Sequence, residues 1–80
     1  MNNLEIDNAI LTAANLDWRK VALVIARCAR VLGDGLPQGE DGLQLIAARI
    51  EALIQRGDLL VQGDVKQWRH SEIRKPADAV

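Results

Sequence analysis

Phenylalanine and tyrosine are absent from this 80-residue chain, and Trp18 and Trp68 are its only aromatic residues. Any core must therefore be assembled from Leu, Ile, Val and Ala, which make up nearly all of the 49% of residues that are hydrophobic. Cysteine occurs once, at Cys28. That excludes an internal disulfide and fits a reducing compartment. Histidine also occurs once, at His70. With Cys28 far from it in sequence, a structural zinc site with four converging ligands is not expected, and neither is another cofactor or a small-molecule ligand. Neither sign of charge is in excess: 10 basic and 11 acidic residues leave a net charge of −1. No global field is available to draw in nucleic acid. No apolar run approaches the roughly 18 residues that cross a bilayer, and the longest candidate, Val21 to Ala26, is broken by Arg27. The opening MNNLEIDNAI lacks the basic region and apolar run of a signal peptide. The expectation is a cytoplasmic protein with no membrane partner.

What is present reads as one small domain over residues 1–75, followed by a disordered tail over 76–80. Leu4, Ile6, Ile10, Leu11 and Ala14 give a short first helix over 3–14, capped by Asn2 or Asn3. Glu5 and Asp7 suit the positive end of its dipole. Asp17 reads as the cap of a second helix starting at Trp18. Its apolar positions, Val21, Ala22, Ile25, Cys28, Ala29 and Leu32, recur at helical spacing up to the stop at Gly33. Between Trp18 and Leu32 there is no acid, so Arg19, Lys20, Arg27 and Arg30 form a local basic stripe. The glycine-rich and acidic stretch GDGLPQGEDG, 33–42, is a loop that leaves room for a short extra strand over 34–37. A third helix over 41–56 turns Leu43, Ile46, Ala47, Ile50, Leu53 and Ile54 inward and ends at a left-handed Gly57. Leu59 to Gln62 and Gln67 to Arg74 then read as strands around Gly63-Asp64-Val65-Lys66, the polar second one lying at a sheet edge. The fold class expected is mainly α with a C-terminal β-hairpin, in the order α-α-α-β-β. That is the outline of a winged helix.

The segment ARIEALIQRGDLLVQGDVKQWRHSEIRKP supports the same outline in another way. It resembles the closing part of a bacterial family of unknown function, found as small stand-alone proteins and as the C-terminal domain of longer ones. The shared pattern is an arginine-bearing helix, a glycine, a short strand, a Gly-Asp or Gly-Asn turn, and a Trp/Met-Arg-x-Ser-Glu-Ile/Val-Arg run. Here these are Arg49, Gly57, Gly63-Asp64 and Trp68 to Arg74, with Trp18-Arg19-Lys20-Val21-Ala22 matching upstream. The resemblance covers most of the chain. It implies a winged-helix-like domain and no activity.

Catalytic residue types gather only near the hairpin. Ser71 and His70 are neighbours on the expected strand and point to opposite faces, which excludes a Ser-His pair. His70 and Glu72 share a face with Trp68, either as an acid–base pair or as polar fastenings of the hairpin. The second reading is preferred, because so short a chain leaves no segment to wall a pocket. Arg49 is expected to join this anchor by pairing with Glu72 or Asp64, the other option being a phosphate contact. Cys28 and Trp18 are read as core residues.

Two functions compete. A small apolar stripe, Leu45, Ala48 and Ala52, with Arg49, Gln55 and Arg56 at its rim, faces outward from the third helix. It is either an interface for a second copy or another protein, or a surface covered by the chain's own first helix or hairpin. Nucleic acid is the alternative, through Arg19, Lys20, Arg27, Arg30 and Lys66, using the second helix's N-terminus, the third helix and the hairpin. Against it stand the apolar centre of the third helix and the acids Glu40 and Asp41 at its start. The preferred expectation is a non-enzymatic, self-associating interaction domain.

Overall fold

The computed structural model of the chain describes residues 1–77. Three helices carry the core: α1, Asn3–Ala13; α2, Val21–Leu32; and α3, Glu40–Arg56. Three short strands, β1 at Arg19–Lys20, β2 at Leu60–Gln62 and β3 at Glu72–Arg74, form an antiparallel sheet in the order β1-β3-β2. The α-α-α-β-β layout is thus present, with one further strand between the first two helices. This is a winged-helix-like arrangement, with α3 in the position of the recognition helix and the β2–β3 connection in that of the wing.

Each helix is set by local chemistry. Asn2 caps α1, its side-chain oxygen accepting from the Glu5 amide at 2.9 Å. α3 ends at Gly57, whose φ of 86° lets its amide and that of Asp58 close back on Ile54 and Leu53. Ile6, Ile10, Val21, Val24, Cys28, Ile46, Ile50 and Leu53 interlock in the middle, joined from the sheet side by Leu59 and Ile73.

The start of α2 departs from expectation. The helix begins at Val21 rather than Trp18, and Asp17 does not cap it. The Val21 and Ala22 amides instead donate to the carbonyls of Ser71 and Trp68, at 3.1 and 3.0 Å. Two backbone acceptors from the far end of the chain thus replace a local side-chain cap. This frees Arg19 and Lys20 to extend and pair with Ile73 and Glu72. The extra strand therefore lies before α2. Residues Gly33–Gly35, near where it was expected, form a 3₁₀ turn.

The hairpin is also reshaped. Only Glu72–Arg74 of the expected Gln67–Arg74 strand is extended. Residues 64–70 turn back on themselves, with the Gln67 amide donating to Asp64 and the His70 amide to Gln67. β3 is the central strand and not an edge, because β1 occupies its other side. Its polar composition is tolerated because Ile73 alone faces the core, fully buried, while Glu72 and Arg74 lie half-buried on the other face. The Lys75 amide donates to the Asn15 carbonyl at 2.7 Å, tying the end of the sheet to the α1–β1 connection. Of the tail expected over 76–80, Pro76 is half-buried and Ala77 exposed, and residues 78–80 lie outside the described residues.

Candidate functional site

The third helix settles the position of the outward stripe. Ala48 is exposed, whereas Leu45 and Ala52 are half-buried, and Leu45 packs against the core. The exposed positions of α3 are Glu40, Asp41, Gln44, Ala48, Gln55 and Arg56, with Glu51 half-buried beside them. The face therefore has a small residue at its centre and acids at its leading end.

Arg49 does not reach the hairpin. Its Nε and Nη2 donate to the two carboxylate oxygens of Asp7 in α1, each at 2.9 Å. Arg56 lies 3.5 Å from the same carboxylate and 2.7 Å from Asp58. Asp7 is buried, and the Arg49 hydrogen bonds hold its carboxyl below the ordinary value, outweighing the opposing effect of burial. The same contact raises the Arg49 guanidinium. The pair clamps α1 to α3, and Glu72 instead accepts from the Gln62 side chain on the neighbouring strand.

Asp7 was read from sequence as a dipole-compensating acid, and its partner was missed. A signal was available. Positions 3, 7, 10 and 14 share one helical face with Ile10 and Ala14. A carboxylate in that phase enters the core and needs a cation there.

The expected hairpin anchors separate. Trp68 is half-buried and packs against the core. His70 is exposed within the turn, so it shares no strand face with Glu72. Ser71 is buried, and its hydroxyl donates to the Gln67 carbonyl at 2.8 Å. Ser71 thereby staples the turn whose carbonyls start α2. Trp18 is not core. It is half-buried, and the Arg74 guanidinium stacks over its ring at 4.9 Å.

The basic residues fall into two groups. In the wing Arg69 is exposed with no ion-pair partner among the described residues, whereas Arg49 and Arg56 on α3, as above, and Lys66, by Glu51 at 3.2 Å, are neutralised. Those on β1 and α2 are not. Lys20, Arg27 and Arg30 are exposed, Arg19 is half-buried, and none has an ion-pair partner among the described residues. Among the described residues no group of three His, Cys, Asp or Glu side chains is placed to hold a metal, and no helix is long and apolar enough to cross a membrane. Comparison with protein-family models, curated proteins and solved structures finds no match to this chain.

Proposed function

We propose that this winged-helix-like domain is a non-enzymatic protein-interaction domain that associates with a second copy through the outer face of α3. The observation that carries this reading is the state of charge where a winged helix would read DNA. Arg49, Arg56 and Lys66 are each paired with a carboxylate, Arg69 at the wing is exposed with no ion-pair partner among the described residues, and Asp41 and Glu51 lie on the same helix as the exposed Ala48. Such a surface offers phosphates little net positive charge but suits close approach of another protein surface. Ala48 would sit at the centre of the contact, with Leu45 and Ala52 as shoulders and Arg49, Gln55 and Arg56 around it. The test is sedimentation of wild-type and Ala48→Glu protein. Ala48 is exposed, so the substitution leaves the core intact. Conversion of a wild-type dimer into a monomer supports the proposal, and a wild-type protein that is monomeric at high concentration removes it.

One observation favours a second reading, in which nucleic acid binds the β1–α2 face. Lys20, Arg27 and Arg30 stand in solvent unpaired, on the element that meets the DNA backbone in folds of this kind. Retention on duplex DNA that falls steeply with salt and weakens on Lys20→Glu would support it. Salt-insensitive or absent retention would remove it.

A further inference from the structure

Away from α3, a groove of about 570 Å³ runs between α1 and α2. Its wall from α1 and the residues just after it carries the small side chains Ala9, Ala13 and Ala14 together with Asn8, Thr12 and the carboxylate of Glu5. Its α2 wall carries Arg27, Arg30 and Val31. Val31 is the most exposed large apolar residue among the described ones, at 74%. Leu23, Arg27 and Val31 are spaced four apart and share one line along α2, and Leu23 is also exposed. The result is a channel with a small apolar floor and a ridge that alternates aliphatic and cationic.

We propose that this groove docks an amphipathic helix of a partner protein, one that presents small aliphatic residues to the floor and carboxylates to Arg27 and Arg30. The inference rests on the reading of the domain as an interaction module and adds the class of partner.

Charge complementarity selects the occupant. Arg27 and Arg30 are three residues apart, so their guanidinium groups rise from one face about one helical turn from each other. A partner helix with two carboxylates three or four residues apart matches that spacing, and Arg favours such paired contacts with carboxylates. From Leu23 to Val31 the ridge spans about 12 Å, enough for roughly two turns of partner helix. A DNA backbone would gain little from the alanine floor and would set phosphates against Val31. Two copies meeting groove to groove would bring like-charged Arg27 and Arg30 pairs towards one another. A head-to-tail copy, offering its acidic α3 start, would generate a ring or an open chain and not a pair.

The experiment is an amide NMR titration of the full chain with a synthetic helical peptide of about four turns, with Leu and Ala on one face and Glu at its edges. A second peptide with Lys in place of Glu is the control. The expected result is shifts confined to residues of α1 and α2 around the groove, loss of binding on Arg27→Glu with Arg30→Glu by at least about tenfold, and none for the Lys peptide. Val31→Ser, which leaves both charges in place, should weaken binding by a smaller factor. Absent shifts, shifts centred on α3, or equal binding of both peptides overturn the inference. So does displacement of the Glu peptide by duplex DNA at stoichiometric amounts. The α3 dimer is read separately by sedimentation, so a monomeric protein that still takes the peptide in the groove would remove self-association and leave this inference standing.

Discussion

Asp7 and Arg49, forty-two positions apart, hold each other through two parallel hydrogen bonds of 2.9 Å. The arginine belongs to the helix that winged-helix proteins use for recognition, yet its guanidinium points back to α1. Asp7 is buried and cannot turn to water if its partner is lost. Asp7→Asn keeps the shape and removes the charge, and should cost about 1–2 kcal/mol, measured by urea denaturation. A change inside experimental error would mean that the clamp contributes nothing beyond solvation.

The same pair predicts an acid dependence. Arg49 holds the Asp7 carboxyl below the ordinary carboxylate range in the folded chain. The unfolded chain therefore binds a proton at Asp7 before the folded chain does, and stability falls as pH drops through that interval. The contribution should be complete above about pH 5 and shrink below about pH 4. In denaturation midpoints from pH 7 to 3, the gap between wild type and Asp7→Asn should close towards the acid end. A gap that is constant across the range would show that packing, and not the charge, sets the cost.

Local signals were legible in the sequence and remote ones were not. The extent of α3 follows from apolar spacing and from Gly57, both of which act within one turn. The α1 cap follows from Asn2 for the same reason. The beginning of α2 is different, because its first amides are satisfied by Ser71 and Trp68, some fifty residues away. No property of Asp17 or Trp18 announces that. Two residues are also too few for an alternation pattern, so β1 could not be seen, and without β1 the central strand β3 looked like an edge. The stripe expected to face outward on α3, Leu45, Ala48 and Ala52, is exposed only at Ala48. Helical phase alone does not reveal that Leu45 leans into the core and leaves Ala48 outermost.

Two glycines with similar backbone angles should respond differently to alanine. Gly57 and Gly63 have φ of 86° and 84°, where a side chain is strained. A Cβ at Gly57 would meet nothing within 4 Å. At Gly63 it would lie 2.8 Å from the His70 carbonyl oxygen and 3.2 Å from the Ser71 Cα. Both obstacles are backbone, in the segment whose carbonyls start α2. Gly57→Ala should cost about 1 kcal/mol, and Gly63→Ala at least about 2 kcal/mol, with loss of amide protection at Val21 and Ala22 in hydrogen exchange. Equal costs would show that the wing can shift without disturbing α2.

Cys28 offers a probe of the core that leaves the surface untouched. It is fully buried at the centre of the α2 core face, and burial pushes its thiol up to about 11. A thiol held protonated and shielded does not react, so labelling at pH 8 should proceed only through opening of the helical core. Its rate should follow global stability, the logarithm of the rate rising in Asp7→Asn in proportion to the loss of folding free energy, about tenfold per 1.4 kcal/mol. The raised value also works against the fold in alkali. The unfolded thiol ionises near its ordinary value of about 8.5, while the folded one stays protonated. The contribution to stability is therefore complete below that pH and is lost as pH rises towards about 11. Cys28→Ala should remove this alkaline decline while costing a small core contact. Rapid labelling of the native protein at pH 8 would place Cys28 in an accessible setting and contradict the packing of α2 against α1 and α3.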